Sequence, residues 1–409
     1  MSSNSAPHRR ALSNIGGTLS SRGDPELVAC FERAWMRARE ESADELTHGF
    51  HTYPARMHPA LANEILGSLA HPQARVLDPF CGSGTTLVEA RRRGFRAAGV
   101  DLNPLALRVA SVKTRVLSAT MRDELNRCAE NVARASEERV RQKAPSRAPL
   151  SPHDVKLYAP HVLRELAGLL AEIQSVEHEE TRHLLEIVFS SMAIKFSQQK
   201  ADTSREQSEK KIGRFVPTRF FLRKTGELCE RLGDFADACP AEAEAPAPSL
   251  YAGDARRLPQ VLPRGHRYDL VLSSPPYGGT YDYHAHHRLR LAWLQIRGNQ
   301  FEKHEVGARR RLSQAPRGAG HWDQEMLDVL HAISARLYTR GPAEPLIILV
   351  MGDGHVGGKR VPADTQLEKL AAQAGLSCVA VSSETREDWQ GGPARKEHLI
   401  ALRQAGSAS

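Results

Sequence analysis

Two stretches far apart in the chain hold residue types whose spacing suits a ligand. In Val76-Leu77-Asp78-Pro79-Phe80-Cys81-Gly82-Ser83-Gly84-Thr85-Thr86-Leu87 a short apolar run ends in a carboxylate, glycines follow at alternate positions, and an amphipathic run begins at Thr85. That order reads as strand, tight loop and helix. Gly82 and Gly84 let the backbone take positive φ and approach a ligand closely. Thr85 or Thr86 is the expected cap of a helix whose first amides face the same space. A second acid, Asp101, ends the next apolar run twenty-three residues later, where the second strand of a doubly wound sheet would present it to ribose hydroxyls. The other stretch, Ser273-Ser274-Pro275-Pro276-Tyr277, directly follows the apolar run Tyr268–Leu272. No third glycine completes a dinucleotide fingerprint and no Walker lysine is present, which disfavours a nucleoside triphosphate. The plain readings are a glycine-rich turn and a common Ser-Pro-Pro loop.

The elements that would carry these loops alternate between strand and helix. Leu346–Met351 is a continuous apolar run of the kind found in a central parallel strand, closed by Gly352-Asp353-Gly354. Leu367–Ala374 reads as a helix, and Ser377–Val381 and Glu397–Leu402 as closing strands. Between Leu105 and Asp237 the pattern is helical, with amphipathic helices at Ala159–Ile173 and Glu177–Phe196, too long for a simple connection between neighbouring strands. The chain therefore divides into a disordered tail (1–24), a helix (25–46), a first sheet segment (47–117), a helical insertion (118–248) closed by the linker Ala241–Pro248, and a second sheet segment (249–405).

Asp78–Thr85, followed by Gly99-Val100-Asp101-Leu102-Asn103-Pro104 and, far downstream, Ser273–Tyr277, resembles the amino-directed nucleic-acid methyltransferases that use S-adenosylmethionine. The form Ser-Pro-Pro-Tyr resembles their cytosine-N4-specific type. The resemblance implies an α/β, Rossmann-like class I methyltransferase fold with a mostly parallel doubly wound sheet. It also implies a cofactor set of Tyr53, Asp78, Phe80, Cys81, Gly82, Gly84, Thr85, Asp101, Asn103 and Asp254. In that family a Tyr-Pro-Ala-Arg segment packs on the methionine end of the cofactor, which brings in Tyr53 and Arg56, and the acid of the third strand binds the adenine amine, which brings in Asp254. A Pro-rich surface turn and an ordinary Gly-Asp turn are the plain alternatives. One feature departs from the family: the region between the adenine-binding strand and the Ser-Pro-Pro-Tyr strand, where target recognition tends to sit, is almost absent here.

The implied chemistry is methylation of an exocyclic amine, a poor nucleophile because its lone pair is delocalised into the ring. Ser274 and the carbonyl of Pro275 are suited to accept the two amine hydrogens, Pro275 and Pro276 to stiffen the loop, and Tyr277 to stack on an extruded base. Serine in the first position associates with N4 of cytosine, and Asp or Asn with N6 of adenine. An RNA guanine-N2 methyltransferase and an inactive nucleic-acid-binding module are the alternatives.

A net charge of +8 and a pI near 9.3 favour a polyanionic partner, and the resemblance makes that partner duplex DNA first and RNA second. Lys195–Lys224 carries nine basic residues against three acids, with Phe215, Phe220 and Phe221 among them, and Lys210, Lys211, Arg214 and Arg219 are its candidate phosphate contacts. Arg309-Arg310-Arg311 forms a second strip in a loop-like stretch. A solvated face over buried phenylalanines is the alternative reading of the first, a basic loop without a ligand that of the second. Six scattered cysteines without zinc spacing predict a reduced, cytoplasmic protein without structural metal, which the resemblance makes nucleoid-associated, and His284, His286 and His287 lack partners that would make a metal site. No apolar run reaches membrane-spanning length.

Overall fold

The computed structural model describes residues 16–200, 203, 206–241, 246–314, 318–339, 343–356, 359–386 and 394–406. Its strands are β1 (Leu19–Gly23), β2 (Arg75–Asp78), β3 (Arg96–Asp101), β4 (Ser249–Ala252), β5 (Leu270–Ser273), β6 (Leu346–Gly352), the small hairpin β7 (Gly354–Val356) and β8 (Lys359–Val361), β9 (Leu376–Arg386) and β10 (Arg395–Gln404). All but the hairpin form one sheet of order β1-β9-β10-β6-β5-β2-β3-β4. The ladders from β6 to β4 are parallel, while β10 and β1 run against their neighbours. This is an α/β, Rossmann-like, mostly parallel sheet.

Chain order explains where a ligand must sit. From β2 the chain builds outward through β3 to β4, and from β5 through β6 in the other direction. The order reverses between β2 and β5, which pair directly through Val76↔Leu270 and Leu77↔Val271. At such a switch point the loops that follow the two strands diverge and leave a crevice. The strands here are buried on both faces, with all seven residues of β6 buried. One face packs on the helices Pro25–Glu40 and Pro59–Leu69, the other on Gly318–Ser334 and Ala363–Gln373.

The segment between β3 and β4 is helical, as expected, and its principal helices are Ala119–Arg141, Pro160–Gln174, Glu179–Ala193 and Val216–Ala238. Their core, with Leu166, Val188, Phe189 and Leu228, continues into Val109 and Val112 of the helix Pro104–Lys113 and into Trp293 of the helix Tyr283–Trp293. The insertion therefore rests directly on the helices that follow β3 and β5. Trp293 Nε1 donates to Tyr158 Oη at 3.0 Å, fixing one such junction.

Two expectations need correction. Leu19–Gly23, placed in a disordered tail by sequence, is an edge strand whose register is set by Ser20↔Ser383 and Arg22↔Val381. Its Ser and Arg content, suited to an exposed edge, carries no hydrophobic period to read. Residues 1–15 of that tail, and 242–245 of the linker, lie outside the described residues. Arg309, Arg310 and Arg311 begin a short helix, Arg309–Gln314, not a loop.

One helix end depends on a partner from elsewhere. Val216–Ala238 starts after Phe215, which sits at φ 64° and offers no side-chain cap. Glu165, buried on the neighbouring helix, accepts from the amides of Phe215 and Thr218, both at 3.0 Å, and from Thr218 Oγ1 at 2.8 Å. Glu165→Leu leaves these donors unpaired in a dry site. We expect a loss of about 2–3 kcal/mol in denaturant unfolding, and an unchanged midpoint would refute this capping role.

Candidate active site

The glycine loop and the Ser-Pro-Pro turn leave the same edge of the sheet from adjacent parallel strands. Asp78, the last residue of β2, accepts from Ser273 Oγ, the last residue of β5, at 2.6 Å, and from the Phe80 amide at 3.1 Å. Thr86 Oγ1 donates to Leu272 O at 3.3 Å and adds a second tie between the strands. This corrects the capping role expected of Thr85 or Thr86: the helix Thr85–Arg92 has Gly84 at its N-cap and no side-chain cap.

Backbone geometry makes the loop a cradle. Gly82 and Gly84 adopt φ of +48° and +90°. A Cβ on Gly82 would lie 3.1 Å from Tyr53 Cε1, and one on Gly84 3.0 Å from Ala110 Cβ. The Gly82 amide donates to Asp101 Oδ2 at 2.8 Å, and Asp101 Oδ1 accepts from the Asn103 amide at 2.8 Å. One carboxylate thereby sets both the glycine loop and the turn after β3.

These loops line a partly open cavity. Of the residues singled out by sequence, Tyr53, Asp78, Phe80, Cys81, Gly82, Thr85, Asp101, Asp254, Ser274 and Pro276 line it. Arg56 does so as well, but its guanidinium is engaged by Ala43 O, His48 O and the Asp44 carboxylate. Asp254 is held by Arg256, whose Nη2 donates to Oδ2 at 2.7 Å. Gly84, Asn103, Pro275 and Tyr277 are not on the wall. Asn103 is buried and caps the helix Pro104–Lys113 through the Leu105 amide at 3.0 Å. Tyr277, 7% exposed, points into the molecule and donates to Glu397 Oε1 at 2.6 Å. The stacking role expected of it is therefore corrected: its ring lies against Gly352, where an added Cβ would meet Cε2 at 2.6 Å.

The cavity also contains residues the sequence reading missed. Ser83 lines it, and the buried Lys113 reaches Ser83 Oγ at 3.3 Å and His48 O at 2.9 Å, tying the glycine loop to the segment before it. Tyr283 and Glu305 come from the chain after β5. Ser273 had a readable signal, because successive strand residues face opposite ways, so one of two adjacent serines turns toward Asp78 and the other toward the cavity. Lys113 and Glu305 had none, since a single charge in a helix or loop reads as solvated.

Electrostatically the site is a cage of strained carboxylates. Burial pushes Asp78 up to about 6 despite the donors from Ser273 and Phe80, and pushes Asp101 up to about 6 against the Asn103 and Gly82 amides. Burial likewise raises Glu305 to about 7, opposed by the amides of Tyr283 and His284. Burial works the same way on Asp254, but Arg256 outweighs it and holds that acid below its ordinary range. Three acids that resist ionisation around one cavity favour a cationic occupant, whose charge would lower their cost.

The basic strips are less available than their sequences suggest. Lys210 donates to Ser197 O at 2.5 Å and to Lys195 O at 3.1 Å, while Lys211, Arg214 and Arg219 are exposed. Phe221 is fully buried, Phe220 packs edge-on to Phe196 at 5.4 Å, and Arg214 lies over Phe215, so these rings serve local packing and not base stacking. Arg311 pairs with Glu325 and Arg310 with Glu302, while Arg309 is exposed. Residues 201, 202, 204 and 205 of the first strip lie outside the described residues. Among the described residues no group of three or more His, Cys, Asp or Glu is arranged to hold a metal ion, and no helix is long and apolar enough to cross a membrane.

Residues 20–112, which include the glycine loop and Asp101, match a family model described as DNA methylase. Over 73 residues the chain is 47% identical to Type II methyltransferase M.MvaI of Kocuria varians, covering 17% of this chain and 16% of that protein. Over 246 residues it is 23% identical to Type II methyltransferase M.BsoBI of Geobacillus stearothermophilus, covering 54% of this chain and 47% of that one. The chain thus matches less than half the length of either relative. Among solved structures, the rRNA methyltransferase aviRa from Streptomyces viridochromogenes aligns with a TM-score of 0.31 at 15% identity, covering 86% of this chain and 88% of that chain.

Asp78→Asn keeps an oxygen for Ser273 and Phe80 while removing a buried charge. The folded pKa near 6 lies above the ordinary 3.8, so the folded chain holds the proton more tightly than the unfolded one. The cost of ionisation is then absent below about pH 4 and complete above about pH 6. We expect the variant to be more stable than the wild type by about 2–3 kcal/mol at pH 8, with the gain gone at pH 4. Thermal unfolding across that range checks it, and equal stability at pH 8 would contradict the raised pKa.

Proposed function

We propose that this chain transfers a methyl group from S-adenosylmethionine to the exocyclic N4 amine of cytosine in DNA. The observation that carries the reading is the 2.6 Å bond between Ser273 and Asp78, because it makes the glycine loop and the Ser-Pro-Pro turn two walls of one cavity. The match of residues 20–112 to a DNA methylase model, and the stretches shared with proteins named Type II methyltransferases, support the reaction class and a restriction-modification setting.

The donor set suits this cofactor. Asp101 and the Gly82 turn would hold its nucleoside, and the carboxylate-rich centre its cationic methionine part. When bound, the sulfonium supplies an electrophilic methyl group. Ser274 faces the cavity and accepts one hydrogen of the target amine through its hydroxyl oxygen, while Pro275, off the wall, supports the turn from behind. That acceptor draws the nitrogen lone pair out of conjugation. The two prolines hold the Ser274 hydroxyl in place before the substrate arrives, which reduces the orientational cost of the step. The loops exclude water from the buried end of the cavity, where Asp78 and Ser83 are 3% exposed. A base can reach this depth only after leaving its helix, so duplex DNA would be read with the base extruded. Exposed Lys211, Arg219 and Arg309 are the candidate phosphate contacts.

Incubation of the protein with tritiated cofactor and duplex DNA, single-stranded DNA or RNA, followed by nucleoside mass spectrometry, tests substrate and base together. The expected product is N4-methylcytosine in DNA. N6-methyladenine would overturn the base assignment, labelled guanine in RNA the substrate, and no label in any nucleic acid the activity. Ser274→Ala is expected to lower the rate of transfer by about 100-fold or more while changing cofactor affinity less than about twofold. A parallel loss of cofactor binding would refute the separate role given to Ser274.

A further inference from the structure

The part of the cavity wall that bears Tyr53 belongs to no sheet or helix. Between the helices Pro25–Glu40 and Pro59–Leu69 the chain forms neither strand nor helix, and two of its residues other than glycine, Leu46 and Ala55, take positive φ of 47° and 53°. Such a segment has no ladder to satisfy its carbonyls, yet Thr47, His48, Phe50 and His51 are all buried. The donors must come from side chains. Arg56 supplies Ala43 O at 2.6 Å, and Lys113, at the end of the helix after β3, supplies His48 O at 2.9 Å.

Further donors come from the helical insertion. Arg231, on the helix Val216–Ala238, places Nη1 2.6 Å from Asp44 O and 2.7 Å from Leu46 O, bridging two carbonyls of the same turn. Two helical turns earlier, and so on the same face, Lys224 donates from Nζ to Phe50 O at 3.3 Å and stands over the Phe50 ring at 4.8 Å. Glu227 lies between them and accepts from Lys224 Nζ at 2.7 Å and from Arg231 Nε at 3.1 Å, which fixes both cations. From the helix Glu179–Ala193, Ser190 Oγ meets His51 Nε2 at 3.1 Å. Three residues beyond Phe50 the segment reaches the cavity. There Tyr53 lies so close to the glycine loop that a Cβ on Gly82 would come within 3.1 Å of its ring.

We propose that Arg231 and Lys224 of the helical insertion are positioning residues for the cofactor, holding the carbonyls of Asp44, Leu46 and Phe50 so that Tyr53 stands ready against the glycine loop. The assignment rests on the S-adenosylmethionine reading of the cavity. Charge-assisted bonds to carbonyls hold this coil in one conformation before the ligand arrives, so without them the ligand must order the wall as it binds. The insertion then has a part in cofactor binding that is separate from any contact it makes with DNA.

The test measures the Kd of S-adenosylmethionine by calorimetry, at a temperature where each variant is folded, for wild type, Arg231→Met, Arg231→Lys and Glu165→Leu. Arg231→Met is expected to raise Kd about 10-fold, and Arg231→Lys, which keeps the charge and one donor direction, to recover part of that loss. Glu165→Leu weakens the same helix at its far end, away from the Tyr53 segment, and is expected to leave Kd within about twofold. In a Tyr53→Leu background Arg231→Met is expected to change Kd by less than about twofold, because the ring it positions is gone. If Arg231→Met does not fold, Lys224→Met, which frees only the Phe50 carbonyl, takes its place in every comparison. An unchanged Kd in Arg231→Met, an equal loss in Glu165→Leu, or a full 10-fold loss on top of Tyr53→Leu overturns this assignment alone. No binding of S-adenosylmethionine by the wild type overturns the cofactor reading, and this assignment falls with it.

Discussion

A single buried hydrogen bond, from Ser273 to Asp78, joins residues 195 positions apart and decides whether there is a site at all. Each partner is the last residue of its strand, so the bond fixes the relative height of the loops that follow. Parallel pairing of β2 and β5 makes the two ends coincide, and the side-chain bond locks the outcome. Everything beyond it inherits that alignment. Ser274 can face the cavity because Ser273 is already committed to the interior, and the glycine loop can bend over Asp101 because Asp78 holds its start.

The same constraint explains the electrostatic strain. A fold designed only for stability would not bury Asp78 and Asp101 where both are pushed to about 6. Their hydrogen bonds reduce the cost of burial and do not remove it. Such strain persists where it is useful, and here it surrounds a cavity that a cation would relieve. Glu305 belongs to the same set but is used differently, its oxygens bound to two backbone amides at the start of a helix. One cluster thus combines acids poised toward the cavity with an acid that orders its wall.

Much of this was legible in the sequence, and the reasons differ from element to element. The glycine loop could be read because glycine takes its positive φ values without strain, and β6 because a strand buried on both faces must be continuously apolar. The two motifs were legible as neighbours because each follows a strand. Tyr277 misled because a motif specifies residue types and not the direction of a ring. That direction is set by Glu397 and Gly352, from β10 and the end of β6, which no local pattern connects to residue 277. The basic strip around Lys210 misled for a related reason: charge in sequence becomes charge toward a partner only if the folded chain leaves it unused, and carbonyls at the end of a neighbouring helix take up that ammonium group.

Strands β6, β9 and β10, remote from the cavity wall, therefore still have a part in its geometry. Asp353, just after β6, accepts from the Lys396 amide at 3.0 Å and lies 3.1 Å from His398 Nε2. The other ring nitrogen of His398 meets Ser383 Oγ at 2.7 Å. Alongside, Glu397 takes the Tyr277 hydroxyl and pairs with Arg386. These contacts span β9, β10 and the end of β6, the antiparallel side of a sheet otherwise built from parallel ladders. Their buried polar groups hold one another in register more specifically than apolar side chains would, because a slip of one residue would strand an acid in the interior. The turn after β5 is thus gripped from both sides: Ser273 by β2 through Asp78, and Tyr277 by β10 through Glu397. Between these two anchors the chain has only Ser274, Pro275 and Pro276 with which to present an acceptor. Two of those three are proline, so the hydroxyl of Ser274 is held by the sheet as a whole and not by the loop on which it sits.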